Sequence, residues 1–232
     1  MAKHLQTDLS ALKEHSLSLA ADVEERVRRS VKALQERDAS LAQEVMDGDQ
    51  EIDEREVRLE EECLKILALH QPVAIDLRFV VAVLKLNNDL ERIGDLAVNI
   101  AERAQFLSTR EPVPVPLDFG GMAEATRNML RRALDALVNL DIGAAWEVLK
   151  SDDVVDEINR EMFVQVQDGI RKHPDMLEAL IHLLSASRHL ERIADLATNI
   201  AEDVIYMVDG EIVRHRAEDY LAQRNGALTA GH

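Results

Sequence analysis

Acidic and amide side chains recur at helical spacing in two places in this chain of 232 residues. In the first place they are Glu91, Asp95, Asn99 and Glu102. Side chains three or four residues apart stack on one face of an α-helix, so their oxygen atoms can converge. Such oxygens are hard ligands that suit Mg, Mn, Ca or Fe ions. The same stripe is also typical of an acidic docking face for a basic partner.

The second stripe follows one hundred residues later. Residues 90–102 and 190–202 are identical at 11 of 13 positions, and the two mismatches exchange one small side chain for another. A match of this quality at a fixed offset indicates an internal duplication. The residues of the second stripe are Glu191, Asp195, Asn199 and Glu202.

A further acidic pair precedes each stripe. Asp49 and Asp53 form it in the first half, and Asp152 and Asp156 form it in the second, both within the pattern Asp-x-x-x-Asp-Glu. A carboxylate pair on one helix that faces a pair on a neighbouring helix makes a multi-carboxylate site for a hard cation. We expect each pair to face the stripe of its own half, on the outside of the bundle.

Two arginines, Arg92 and Arg192, lie beside the stripes. Like charges four residues apart on a helix repel each other, so these guanidinium groups are expected to relieve that repulsion or to bridge to another protein. Together with Glu102 and Glu202 they are the candidate partner-binding residues.

The stripes must be positioned by amphipathic helices. In the first copy, apolar residues from Ile93 to Ala104 recur on the side opposite the acids, as they do along a helix that packs on a core. The same periodicity predicts three long helices in each half, joined by short turns such as Gln71-Pro72. The chain is therefore predicted to be all-α, a tandem repeat of two antiparallel three-helix bundles.

The domain boundaries are predicted from a change in composition. Residues 108–121 contain three of the five prolines, and helix cannot continue through alternating prolines. We expect a first bundle over residues 1–107, this proline-rich linker over 108–121, a second bundle over 122–215 and a polar tail over 216–232. Within the second bundle, Trp146, Met162 and Phe163 are predicted core residues.

The charge excludes some classes of partner. A net charge of −17 argues against a nucleic-acid surface and against binding to anionic lipid, and it favours cations or basic protein faces. No apolar run approaches the roughly 20 residues that span a bilayer, and the first residues lack the apolar core of a signal peptide. The single cysteine, Cys63, is expected to be a small buried residue in a reducing compartment. We therefore predict a cytoplasmic protein.

No pattern of catalytic residues emerges. A di-iron carboxylate enzyme needs inward Glu-x-x-His pairs, and none of the eight histidines has Glu three residues before it. The chain contains no G-x-x-x-x-G-K phosphate loop and no Ser, Thr or Cys in a convincing nucleophile setting. We predict that the protein is not an enzyme and that phosphate acts on it through partners or a metal-bridged anion.

Three segments carry a resemblance to a known family: LALHQPVAIDLRFV from Leu67, LERIGDLAVNIAERA from Leu90 and LERIADLATNIAE from Leu190. Over about residues 5–215 the chain resembles the PhoU family. The resemblance implies a double three-helix bundle and a regulatory, non-catalytic role. Such proteins restrain the high-affinity phosphate ABC transporter and hold its two-component sensor kinase off when phosphate is plentiful. The implied partners are the transporter's ATPase subunit and the sensor histidine kinase.

The resemblance also implies metal ions, which some members hold with E(D)xxxD motifs, here Glu91/Asp95 and Glu191/Asp195. The ions are expected to be divalent or ferric (Mg, Mn, Fe or Zn). The halves differ where His189 replaces Asp89, so the two sites need not bind alike. A homodimer is expected because flat bundle faces can pair. The alternative function is a metal-binding helical module without a role in phosphate regulation.

Overall fold

Residues 2–210 are described by the computed structural model, and this part of the chain contains helices and no strands. The predicted tail, residues 216–232, lies outside the described residues. A short 3-10 turn at Pro174–Met176 precedes the last helix. The α-helices are α1 Ala2–Glu36, α2 Ala39–Asp47, α3 Asp49–His70, α4 Ala74–Ser108, α5 Phe119–Asn139, α6 Ile142–Lys172 and α7 Leu177–Asp209.

The helices form two bundles that pack side by side. In the first, α3 returns antiparallel to α1, as shown by contacts from His15 Nδ1 to Glu62 at 2.8 Å and from His70 Nε2 to Asp8 at 2.7 Å. Helix α4 packs on both α1 and α3, and α5, α6 and α7 pack on one another in the same way. The bundles join where α1 meets α5 and where α4 meets α7. The predicted all-α fold of two antiparallel three-helix bundles is confirmed.

Equivalent aspartates cap the second helical segment of each half. The carboxylate of Asp38 accepts a hydrogen bond from Leu41 N at 3.0 Å, and that of Asp141 accepts one from Ala144 N at 3.0 Å. Each satisfies a backbone N–H in the first turn that has no partner inside the helix. In the first half this segment is divided at Gly48 into α2 and α3, whereas in the second half it is the single continuous helix α6.

The linker is held by the bundles it joins. Helix α5 begins at Phe119, three residues before the predicted start, because the Asp118 carboxylate accepts a hydrogen bond from Gly121 N at 2.8 Å. The Arg37 guanidinium donates to the carbonyls of Leu107 and Arg110 at the end of α4. The linker therefore has fixed contacts at its start and a capped helix at its end.

The core is built mainly from aliphatic side chains. Trp146 and Met162 are buried as predicted, but the prediction for Phe163 was wrong because 38% of its surface is exposed. Phe163 directly follows Met162 on α6, and successive side chains point about 100° apart on a helix, so the two cannot share one narrow apolar stripe. Cys63 is buried, and burial raises the pKa of its thiol to about 12, which suits a packing role.

The two motif helices lie against each other at the centre of the molecule. Lys85 Nζ in the first half of α4 donates to Asp203 Oδ1 near the end of α7 at 2.7 Å. The rings of Phe106 and His182 stack at 3.8 Å between the other ends of the same helices. The two helices are therefore antiparallel and place both acidic stripes near the middle of the molecule. Within residues 2–210, no helix is both long and apolar enough to cross a membrane.

Candidate functional site

The first acidic pair and the first stripe meet where α3 packs on α4. We call Asp49, Asp53, Glu91 and Asp95 the first acidic cluster. Burial raises the pKa of Glu91, and the carboxylates of Asp95, Glu56 and Asp53 raise it further. Burial likewise raises the pKa of Asp49, and Asp53 and Asp95 add to that effect. These carboxylates therefore lie close enough to repel one another.

A buried arginine compensates part of this repulsion. Arg26 on α1 is 7% exposed, and its guanidinium pairs with the carboxylate of Asp49, which opposes the rise in the pKa of that group. Gly48 leaves space for the guanidinium, since a Cβ atom at this position would lie 2.8 Å from Arg26 Nη2. At the offset that relates Asp38 to Asp141, the residue equivalent to Arg26 is Met129, which is buried and uncharged.

The second acidic cluster consists of Asp152, Asp156, Glu191 and Asp195, where α6 packs on α7. Burial raises the pKa of Asp152 to about 6, and nearby carboxylates led by Asp195 and Asp156 add to the shift. Partial loss of solvent contact and neighbouring carboxylates also raise the pKa values of Glu191 and Asp195. On the outer side of the cluster, Arg160 pairs with Asp156 at 3.1 Å. Asp152 is therefore the carboxylate of the two clusters whose pKa is raised most, with burial as the main cause.

In both clusters, the carboxylates expected from the sequence to face each other do lie near each other. They form open groups on the surface of the molecule. Within residues 2–210, no three His, Cys, Asp or Glu side chains stand close enough to form a ready metal site. Asp95 and Asp195 are exposed, and Glu91 and Glu191 are half-buried, so solvent and ions reach them. Such groups can bind a cation, or the lysines and arginines of another protein, and either would relieve the repulsion.

The amides and arginines of the stripes line a different feature. An open groove of about 990 Å³ runs between α4 and α7, and we call it the central groove. Because Asp95 and Asp195 also line this groove, it lies next to both acidic clusters. Glu102 is exposed and instead contacts Arg103 at 3.3 Å. The other candidate residues that line the groove are Arg92, Asn99, Arg192, Asn199 and Glu202.

One ion pair at the central groove was missed by the sequence reasoning. Asp203 is only 6% exposed, and its carboxylate binds Lys85, whose ammonium also lies 5.1 Å from the centre of the Tyr206 ring. At the offset of 100 residues that relates the two motif helices, the equivalents of Lys85 and Asp203 are Ser185 and Arg103. These two residue types cannot form the same ion pair. The sequence signal for this ion pair was Asp203, a charged residue within the apolar face of α7.

Comparison with known families accounts for both halves of the chain. The PhoU domain matches residues 17–104 and again residues 119–204. The chain belongs to the PhoU family. Each acidic cluster lies within one PhoU domain, and the match confirms the family that the three sequence segments indicate.

Relatives match almost the whole chain. A "phosphate-specific transport system accessory protein PhoU homolog" from Aquifex aeolicus is 36% identical over 209 residues, which are 90% of this chain and 95% of that protein. A homologue of the same description from Pseudomonas putida is 36% identical over 216 residues, covering 93% of this chain and 84% of the relative.

Solved PhoU structures share the fold. The crystal structure of PhoU from Pseudomonas aeruginosa superposes with a TM-score of 0.86 at 35% identity, covering 89% of this chain and 99% of that one. The structure of the "phosphate transport system regulatory protein PhoU" from Streptococcus pneumoniae gives a TM-score of 0.81 at 27% identity, covering 90% of this chain and 99% of the other.

Proposed function

We propose that this protein is an accessory regulator of phosphate transport that acts by binding other proteins and not by catalysis. The observation that carries the proposal is the similarity to known proteins. Two PhoU domains match the chain, and relatives described as phosphate-specific transport system accessory proteins match it over nearly their full length. The surface agrees with a binding role, because its candidate site residues are charged groups on helix faces.

The proposed partners are the ATPase subunit of the phosphate ABC transporter and the phosphate sensor histidine kinase. An ATPase subunit of this kind works at the cytoplasmic face, so we propose that the regulator works there too. The two acidic clusters and the central groove form an extended acidic region suited to a partner with basic residues. At its centre, Arg92 and Arg192 each offer a guanidinium that can fork onto a partner's carboxylate.

We propose in addition that the acidic clusters bind divalent or ferric metal ions (Mg, Mn, Fe or Zn). The clusters supply hard oxygen ligands whose mutual repulsion a cation relieves. Metal analysis of the purified protein, repeated on a variant with Glu191→Ala and Asp195→Ala, tests this part. Equal metal content in the two folded proteins would exclude the second cluster as a metal site.

Direct binding between purified proteins tests the partner contact. We expect saturable binding to the ATPase subunit, weakened at least about tenfold when Glu91, Asp95, Glu191 and Asp195 are replaced by Ala, because several interfacial charge pairs would be lost. Exposed acids outside the clusters, Glu111 and Asp168, provide a control pair of Ala substitutions that should leave the affinity unchanged. Absence of binding at every phosphate and metal concentration would contradict the proposal.

The competing function is a metal-binding helical module without a role in phosphate regulation. It predicts metal binding in the clusters together with no affinity for the ATPase subunit or the kinase. The proposed homodimer is a separate question, because it would apply to either function. Sedimentation equilibrium of the purified protein measures it directly, and a single species at the monomer mass of 26.1 kDa would exclude it.

A further inference from the structure

A second groove has the opposite character from the acidic clusters. It lies between α1 and α5, has a volume of about 400 Å³, and we call it the basic groove. Three cations, Arg28, Lys32 and Arg127, line it together with a single carboxylate, that of Glu124. The lining therefore carries more positive than negative charge, although the chain as a whole has a net charge of −17.

The packing of the helices places this groove away from the proposed partner surface. Helices α1, α4, α7 and α5 contact one another in a ring, each touching the next. The seam between α1 and α5 is therefore opposite the seam between α4 and α7. The basic groove and the central groove consequently lie on opposite faces of the molecule, where they can be tested separately.

The spacing of the side chains makes the groove a single site. Arg28, Lys32 and Gln35 lie on one face of α1, and Arg127 and Asn128 lie one turn after Glu124 on α5. The helices are antiparallel, as a bond of 2.9 Å from Lys13 Nζ to Val138 O shows at their far end. The cations of α1 and α5 therefore face each other across the groove.

The three cations differ in the hydrogen bonds and ion pairs that they form with the rest of the protein. Arg28 donates to Glu25 at 2.6 Å, whereas Lys32 Nζ is 3.8 Å from Glu36, beyond hydrogen-bonding distance. Arg127 forms no ion pair or hydrogen bond within residues 2–210, although its charge helps to lower the pKa of the nearby Glu25 carboxylate, and its Nε atom is buried without a partner. The Arg127 guanidinium therefore has N–H donors that no other group in the described part of the chain uses.

We propose that the basic groove binds a phosphate-type oxyanion, supplied either as inorganic phosphate or as the phosphate groups of a nucleotide. A guanidinium presents a planar fork of N–H donors that matches two phosphate oxygens, which Arg127 offers, and an ammonium adds a compact charge, which Lys32 offers. Gln35 and Asn128 add amide donors at the edge of the groove. The proposal is independent of the partner contacts proposed above, because its site and its readout are different.

Calorimetric titration of the purified full chain with inorganic phosphate, pyrophosphate and ATP tests the proposal. The groove variant carries Lys32→Gln and Arg127→Gln. The matched control carries Lys150→Gln and Arg171→Gln, which remove the same charge from exposed positions on α6. We expect the groove variant to lose at least about tenfold in affinity, since each charge-assisted contact corresponds to roughly that factor, and the control to lose less than about twofold.

A third variant guards against an effect on folding. Asn128 is exposed at the edge of the groove, so Asn128→Glu adds a repelling carboxylate without removing a buried contact. It should weaken binding by a similar factor. Binding of inorganic phosphate would identify the free ion as the ligand, and binding of only pyrophosphate or ATP would identify a nucleotide or another polyphosphate. The proposal is overturned if no anion binds the wild type, or if the groove variants bind as tightly as the control.

Discussion

Replacing Asp152 by Asn should stabilise the folded protein at neutral pH. The pKa of Asp152 is raised to about 6, from an ordinary value near 4, by burial and by the neighbouring carboxylates of its cluster. The folded chain therefore holds the proton more tightly than the unfolded chain. Its free energy of unfolding falls as the pH rises from about 4 to 6, and the whole penalty is present above pH 6.

The size of the effect follows from the shift. Two pKa units correspond to roughly 3 kcal/mol, and solvent around the half-buried carboxylate screens part of it, so we expect a gain of about 1–2 kcal/mol at pH 7.5. In a domain of this size that gain corresponds to an increase in Tm of about 2–8 °C. At pH 4 the carboxyl is protonated in the folded state and only about half ionised in the unfolded state, so most of the penalty is absent and the substitution should have a much smaller effect.

Asp49 provides the matched control, because it occupies the equivalent position in the first half. There the buried Arg26 guanidinium pairs with the carboxylate, and the substitution leaves that cation without its ionic partner, so Asp49→Asn should lower the free energy of unfolding by about 1–3 kcal/mol. Urea denaturation followed by circular dichroism at pH 4 and 7.5, with a chelator present, measures both variants. Equal gains for the two variants, or a gain for Asp152→Asn that does not depend on pH, would refute the electrostatic reasoning.

Three other substitutions test separate parts of the structure. Glu91→Ala with Asp95→Ala should leave the free energy of unfolding within about 1 kcal/mol of wild type in urea denaturation, because neither side chain is buried, while metal or partner binding weakens. Unchanged metal content and partner affinity in that folded variant would exclude the stripe as a site. Lys85→Met should cost about 1–3 kcal/mol by the same assay, since it leaves the buried Asp203 carboxylate unpaired, and a loss under about 0.5 kcal/mol would contradict this. Gly169→Ala should lower stability by about 1–3 kcal/mol in thermal unfolding, because the new Cβ would lie 2.8 Å from a methyl group of the linker, and an unchanged Tm would show that the linker yields freely.

Much of the fold could be predicted from the sequence because helices and their faces are encoded locally. The repeat of residues 90–102 at 190–202 indicates two similar bundles, and the apolar periodicity fixes which face of each motif helix is buried. The short turn at Gln71-Pro72 forces α3 and α4 to be neighbours. The first acidic pair and stripe had to lie near each other for that reason.

The compensating cations could not be predicted in this way. Arg26 follows Glu24 and Glu25 in a highly charged stretch of α1, where the sequence pattern indicates one more surface charge. Its pairing with Asp49 depends on how α1 packs on α3 and on the space above Gly48. The ion pair of Lys85 with Asp203 depends on the antiparallel register between two bundles. No pattern of neighbouring residues in the sequence determines that register.

Deletion of the gene, followed by its reintroduction, tests the central claim most directly. Two quantities are measured in phosphate-rich medium: the output of phosphate-starvation genes and the rate of phosphate uptake. The proposed role as an accessory regulator predicts that starvation genes are expressed or that uptake runs unchecked in the deletion strain, and that the reintroduced gene restores control. Normal output and normal uptake in a strain without a second gene of this family would contradict it.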